Sequence, residues 1–480
     1  MRLRAADIAT CCAGQLVGGT GDVLACNMAW DSRCVSDGCL FVALPGERVD
    51  GHDFCADAAR EGARVILVER ALEPSVQQGL DRAGCATVLV GDTTAALTAL
   101  AGYWRGLLRG TVLSLTGSSG KTTTKNLVAA VLSSAGTTVA TKANQNNELG
   151  VPATLLAADQ DTDYIVVEMG MRGLGQLAQL CEFARPDAAL VTNVGTSHLE
   201  LLGSRDAIAR AKAEPFTFLD PERGVAFVNV SDSFARELVA YGELAQRGVE
   251  TVFFDGSGAD PATYDPALAP SVFASDISFD AEGNPHFTIN VPGSSAPCAL
   301  RLAGIHNVHN SLAAAAVGHF AGLDAVQIAA ALETCEAAAG RQLVVTSPAG
   351  VRVVDDSYNA NPDSMCASLA TFRSMEVEGR RVAVLGDMYE LGSFTEEGHA
   401  LAGREAAGSG LDRIVCVGDL ARGIADAAVS CGMDARAIDC VSSAQEALSL
   451  LAGELAAGDA VLVKASHSVG LDAVVEGLVS

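Results

Sequence analysis

Short apolar runs, bounded by glycine, proline or acidic residues, recur along the chain, and most are followed by stretches whose apolar positions return every three or four residues. The first pattern predicts buried strands and the second amphipathic helices. Residues 40–44, 65–68 and 87–90 read as strands, and 93–107 as a helix. Further strands are expected at 112–115, 164–167 and 188–191, with a helix over 126–132. From about 250 to 303 the runs shorten and are broken by Gly, Pro and Asp, which predicts an antiparallel insertion before a helix at 306–320. Beyond Gly340 strands are expected at 343–345, 351–354, 382–385, 414–417 and 460–463. Strand–helix alternation of this kind predicts an α/β fold with mostly parallel sheets covered on both faces.

A chain of 480 residues exceeds what one core holds. The pattern divides it into three units, 1–108, 109–338 and 339–480. The net charge of −26 argues against a nucleic-acid partner, whose phosphates need a basic surface. No window reaches the ~20 apolar residues of a membrane span. Residues 1–7 lack the apolar centre of a signal peptide, so a cytoplasmic protein is expected. The fourteen cysteines include no C-x-x-C pair, so they are expected to be reduced, mostly buried thiols rather than metal ligands or disulfides.

Against that background one segment changes the picture. Thr116-Gly117-Ser118-Ser119-Gly120-Lys121-Thr122-Thr123 joins the strand at 112–115 to the helix after it. A glycine turn between strand and helix, closed by Lys-Thr, builds a phosphate cradle: backbone N–H groups and the helix N-terminus face the anion, the lysine reaches the outer phosphates, and the hydroxyl serves Mg²⁺. The common eight-position pattern wants glycine at 115, where this chain has leucine, so the loop is the short form G-x-x-G-K-T. Lys125 is expected on the solvated face of that helix. Glu168 ends the strand at 164–167 and His198 follows the strand at 188–191, which suits a divalent metal beside the phosphates. Lys212 has the spacing of an ordinary helix-surface lysine. Asn307 and Asn310 share a helix face, compatible with a close-packed helix or with a site. The polar cluster Asp355-Asp356-Ser357-Tyr358-Asn359-Ala360-Asn361 exceeds what a turn and an N-cap require, and is read as a binding loop.

Taken together, the short phosphate loop, Glu168-Met169-Gly170, the His198 loop, Gly304-Ile305-His306-Asn307-Val308-His309-Asn310 and Gly340-Arg341 resemble the Mur ligase family of cell-wall peptide synthetases. The resemblance extends over nearly the whole chain. It implies a small α/β N-terminal domain holding the UDP end of the substrate, a central ATPase domain and a Rossmann-like C-terminal domain. Lys121 and residues 116–123 would bind ATP phosphates, with Thr122 and Glu168 on a first Mg²⁺. His198 would serve a second Mg²⁺ with Lys212, which relatives carry as a carbamate. Asn307 and Asn310 would lie by the nucleotide, Arg341 by its γ-phosphate and Asp356 by the ribose. Ser32, Arg33, Gly46, Glu47 and Arg48 would hold the UDP moiety, and Asn146 and Asn147 the muramoyl-peptide, with Tyr358, Asn359 and Asn361 as further substrate contacts.

Within the family, residues 146–152, 356–365 and 385–392 resemble the member that joins D-alanyl-D-alanine to UDP-N-acetylmuramoyl-tripeptide, here expected to act as a monomer. Rival readings are a sibling ligase adding the third stem residue, a folylpolyglutamate-type ligase, a P-loop kinase or switch, and a non-catalytic nucleotide-binding paralogue. One departure is plain. The family's usual Lys-Gly-Ser-Arg is Lys464-Ala465-Ser466-His467 here, and replacing a permanent cation by histidine is expected to alter binding of the dipeptide carboxylate.

Overall fold

Backbone pairing in the computed structural model, which describes residues 1–480 except Glu47, resolves the alternation into three α/β units. Glu47, one of the candidate UDP contacts, thus lies outside the described residues. In the first unit Asn27–Ala29, Cys39–Val42, Ala63–Val68 and Ala86–Leu89 run parallel, and Gln15–Gly18 pairs antiparallel to Ala86–Leu89. The helix Thr93–Arg105 follows, opened by Asp92, whose side chain accepts from Ala95 N at 2.8 Å. It packs against the helices Gly150–Ala157 and Gln176–Ala184 of the second unit. Trp104, 2% exposed, donates from Nε1 to Ala158 O at 2.9 Å and pins the two units together.

The second unit is built on a nine-stranded sheet. Thr111–Thr116 lies between Ala188–Val191 and Tyr164–Glu168, all parallel. The chain runs outward from Thr111–Thr116 to one edge and later returns to build on its other side. The loops after Thr116 and after Val191 therefore part at a topological switch point, the crevice where open parallel sheets bind ligands. The 250–303 stretch differs from the expected insertion. Glu250–Asp255 and Val272–Phe279 are parallel members of the same sheet. Only Pro285–Val291 and Ser294–Ala299 turn antiparallel, and they lengthen its edge. The helix Ile305–Phe320 lies against Lys121–Ser133, where a Cβ on Gly318 would come within 2.4 Å of Val131 Cγ1. The buried run Ala313–Ala314–Ala315–Ala316 keeps that approach close.

In the third unit a six-stranded sheet carries Arg352–Asp355 beside Ala460–Lys464, so Asp356 and Lys464 emerge together. The other strands are Leu343–Thr346, Arg381–Gly386, Arg413–Val417 and Ile438–Val441. Among the described residues no helix is long and apolar enough to cross a membrane. All fourteen cysteines are free, and Cys26, Cys34, Cys431 and Cys440 are exposed rather than buried.

Two stability measurements test this packing. Trp104→Phe keeps the ring but leaves Ala158 O without its donor, and should cost roughly 1–3 kcal/mol by denaturant unfolding; an unchanged midpoint would show that the bond does not join the units. His306, at the seam between the second and third units, keeps a partly exposed edge, but its Nδ1 is buried without a partner. Burial holds its pKa down to about 4 against the opposing pull of Asp356. Between about pH 6.5 and 4 the unfolded chain therefore takes up a proton that the folded chain refuses. Stability should fall as pH drops through that window, by roughly 2–3 kcal/mol from this residue. His306→Gln should flatten the curve relative to wild type, and parallel curves for the two proteins would contradict the assignment.

Candidate functional site

Gly117 and Gly120 make the phosphate loop possible. A Cβ on Gly117 would fall 1.8 Å from Thr192 Oγ1, and Gly120 sits at φ +74 as the residue before the helix Lys121–Ser133. Asn193 holds the loop from the neighbouring strand end: its Oδ1 accepts from Ser119 N at 3.0 Å, and its Nδ2 donates to Ser119 O at 3.1 Å. Lys121 curls over the loop and donates from Nζ to Gly117 O at 2.9 Å. Desolvation lowers its pKa, against the pull of Glu168. Thr124 Oγ1 donates to Asn310 Oδ1 at 3.0 Å, and Asn310 Nδ2 donates to Asn307 Oδ1 at 2.9 Å. The two asparagines thus tie Ile305–Phe320 to the phosphate-loop helix while facing the same cavity.

Glu168, at 1% exposure, closes the floor. Its Oε1 accepts from Asn146 Nδ2 at 2.8 Å and from Thr122 Oγ1 at 3.4 Å, whereas Oε2 is buried with no hydrogen-bond donor. Lys125 overturns its expected position. It is 3% exposed rather than solvated, with Nζ 3.9 Å from Glu168 Oε2. At i and i+4, Lys121 and Lys125 share the helix face that looks at this carboxylate. Lys212 is corrected in the same way. It lies on Arg205–Thr217 but is 1% exposed, and desolvation, reinforced by Lys121, pushes its pKa well down. His198 stands in left-handed backbone at φ 62, with Nδ1 2.6 Å from Glu390 Oε2 but misaligned for a hydrogen bond. Its pKa is lowered, first by desolvation and also by Lys121 and Lys212, with Glu390 opposing.

The third unit supplies the opposite wall. Arg341 lays its guanidinium 4.0 Å from the centre of the Tyr358 ring and donates from Nη2 to Thr122 Oγ1 at 3.3 Å. On that tyrosine His467 also stacks, with centroids 5.6 Å apart. Asp356 Oδ2 accepts from Lys464 Nζ at 2.7 Å and from Ser368 Oγ. Asn361 serves two structures at once. Its Oδ1 accepts from Ser364 N at 2.8 Å, capping the helix Pro362–Ser374, while Nδ2 donates to Ser197 Oγ at 2.7 Å and Ser119 Oγ at 3.2 Å. Asp363 Oδ2 accepts from Thr196 N at 2.8 Å and Thr196 Oγ1 at 2.9 Å.

The resulting cavity, of about 660 Å³, gathers Ser118 to Thr123, Asn146, Glu168, Asn307, Asn310, Arg341, Asp356, Tyr358, Asn359 and Asn361 from the candidate set. Thr116, the last residue of its strand, and Gly117 do not line it. Nor do His198, Lys212 and Asn147. Asn147 instead accepts from Leu149 N and Gly150 N at the start of a helix. Ser32, Arg33, Gly46 and Arg48 belong to the first unit and are also outside the cavity. There Arg33 is paired with Asp31 at 2.7 Å. Sequence reasoning passed over Asn144, Asp232 and His309, all lining residues. Asn144 stands two residues from Asn146 in a polar run that could have flagged it. Asp232 and His309 reach the cavity only by tertiary folding. Among the described residues no group of three His, Cys, Asp or Glu side chains is placed to hold a metal. The unsatisfied Glu168 Oε2 beside the Thr122 hydroxyl nevertheless fits an oxygen-loving cation that takes its remaining ligands from phosphate and water, as Mg²⁺ does.

Comparison with known proteins agrees with this layout. Residues 27–105 match the "Mur ligase family, catalytic domain", 115–318 the "Mur ligase middle domain" and 340–467 the "Mur ligase, glutamate ligase domain". The chain is similar to the UDP-N-acetylmuramoyl-tripeptide–D-alanyl-D-alanine ligase of Mycobacterium tuberculosis, with 37% identity covering 95% of this chain and 92% of the relative. Among solved structures it is similar to MurF from Acinetobacter baumannii, with TM-score 0.83, 30% identity, and 100% and 99% of the two chains covered. It is also similar to MurF from Thermotoga maritima in complex with ADP, with TM-score 0.74, 29% identity, and 94% and 96% covered. With this identity sustained over nearly its full length, the chain belongs to the Mur ligase family.

Proposed function

We propose that the protein is an ATP-dependent ligase that joins D-alanyl-D-alanine to UDP-N-acetylmuramoyl-tripeptide. The observation that carries this reading is one cavity in which a phosphate loop from the second unit faces Arg341, Asp356 and Tyr358 from the third. It is supported by relatives of that name and by the ADP complex of a MurF with the same fold. In this reading residues 1–108 hold the UDP end through Ser32, Arg33, Gly46, Glu47 and Arg48, residues 109–338 hold ATP, residues 339–480 complete the site, and the chain works as a monomer.

The chemistry follows from bringing two anions together. The terminal carboxylate oxygen of the tripeptide bonds to the γ-phosphorus as the bond to the β-phosphate bridging oxygen breaks, giving an acyl phosphate and ADP. The amine of D-alanyl-D-alanine then forms the C–N bond, loses its proton, and inorganic phosphate leaves with the carboxylate's oxygen. Lys121, folded over the loop onto Gly117 O, and Arg341, reaching Thr122 Oγ1 from the facing wall, neutralise the transferring phosphoryl group. Ser118 N and Ser119 N already donate to Asn193, so the amides of Gly120, Lys121 and Thr122 at the helix start hold the remaining phosphate oxygens. Asn307 and Asn310 face the nucleotide, Asp356 the ribose, and Asn146, Asn147, Tyr358, Asn359 and Asn361 the peptide substrates. Thr122 and Glu168 would hold one Mg²⁺, and His198 with a carbamylated Lys212 a second. Bound Mg²⁺ supplies further neutralisation of phosphate charge. Lys212 fits the modification because burial favours its neutral amine, the form that adds to CO₂, and the product is an anion beside Lys121 and His198.

Two experiments test the reading. In a panel of amine acceptors, phosphate release should require both the muramoyl-tripeptide and D-alanyl-D-alanine. Equal rates with single amino acids would favour a sibling ligase that adds one residue, and release with neither acceptor would favour a kinase or switch. Isotope-labelled bicarbonate should give a carbamate carbon signal in the wild type that is missing in Lys212→Met. A signal that persists in the variant would place the carbamate elsewhere.

A further inference from the structure

Lys125 is a buried cation beside the site to which the mechanism above gives no task. Its ammonium sits between two partners. Nζ donates to Ala143 O at 3.1 Å and lies 3.9 Å from Glu168 Oε2, the carboxylate oxygen left without a hydrogen-bond donor. Ala143 belongs to the loop between the strand Thr138–Ala140 and the helix Gly150–Ala157, and holds φ at +47, an unfavourable backbone for a residue with a Cβ. Three residues later Asn146 donates from Nδ2 to the other oxygen of Glu168 at 2.8 Å, while its carbonyl accepts from Gly170 N at 2.8 Å. The 142–147 loop is thus tied to Glu168 at two points, through Asn146 directly and through Lys125 at Ala143. Asn144 and Asn146, the residues between and beside those ties, line the cavity.

A lysine serving only to balance charge would have no need of the Ala143 carbonyl, and a loop anchor alone would have no need of an ammonium beside a buried carboxylate. Both features together make Lys125 a bridge between the metal-side carboxylate and the loop that presents Asn144 and Asn146 to the cavity. We propose that Lys125 is a positioning residue that holds the 142–147 loop in register with Glu168, and so sets the affinity for the muramoyl-tripeptide rather than for ATP. This rests on the substrate assignment of that loop given above.

The test compares wild type with Lys125→Met, which keeps the stem and removes the donor and the charge, and with Lys125→Gln, which keeps a neutral donor. Loss of one charge-assisted hydrogen bond predicts a rise of about tenfold or more in KM for the muramoyl-tripeptide, with KM for ATP unchanged or lower. Calorimetric titration of the tripeptide into nucleotide-free enzyme should weaken by the same factor, with the Gln variant intermediate. Equal rises in both KM values, or a loss of kcat with both unchanged, would overturn the proposal. Wild-type enzyme that binds the tripeptide, beside a Lys125→Met variant that binds it equally well, sinks only the positioning role; a wild type that does not bind it sinks the substrate reading as well. Should the variants fail to fold, hydrogen exchange in the wild type decides. Exchange across 142–147 should slow on adding tripeptide without nucleotide, and a loop whose exchange is unmoved by bound tripeptide refutes the inference.

Discussion

Glu168 is the group on which the rest of the site depends. A carboxylate with 1% exposure is costly unless positive charge and donors surround it, and the architecture supplies them from every side. Lys121 and Lys125 come from one helix face, Asn146 from the following loop, and the Thr122 hydroxyl from the first turn. Arg341 arrives from another unit altogether. Even so, one carboxylate oxygen keeps no donor. A site arranged for stability alone would have satisfied it. One that receives phosphate and a cation has reason to leave it open.

The division of labour between two sheets follows from the same constraint. Each parallel sheet exposes one crevice at the carboxyl ends of its strands. The central sheet presents the phosphate loop and Glu168, and the C-terminal sheet presents Asp356 and Lys464 from adjacent strand ends. Facing the two crevices toward each other encloses about 660 Å³ lined by both. The contacts across that seam are polar and fall on the glycine loop and on the 196–198 loop: Asn361 to Ser119 and Ser197, Asp363 to Thr196, Glu390 beside His198. The contacts that join the two units are therefore the same ones that complete the cavity, an arrangement that suits a reaction whose acyl phosphate must be kept from water.

Much of the fold was legible because buried strands announce themselves as apolar runs. The strands at 164–168, 188–191 and 381–386 stand where the pattern places them. Thr138–Ala140 and Ile438–Val441 escaped it because they are short edge strands, half exposed, whose residues need not be uniformly apolar. The stretch after 250 misled for a related reason. Glycine and proline breaks mark where strands end, but they carry no information on which neighbour a strand pairs with.

What the sequence determined by itself was the chemistry of local segments. A glycine turn closed by Lys121-Thr122 has the form of a phosphate cradle, a geometry set within a few residues, so its reading needs no distant partner, and the resemblance of the surrounding motifs gave the family. Tertiary structure decided the environment of each charge. Lys125 and Lys212 have the spacing of surface lysines, and only the packing of other elements over them makes one a buried partner of Glu168 and the other a desolvated amine. Burial is a property of what covers a residue, contributed here by segments far away in the chain. No local pattern of side chains carries that information, and for these two lysines it makes the difference between a solvated side chain and a buried one.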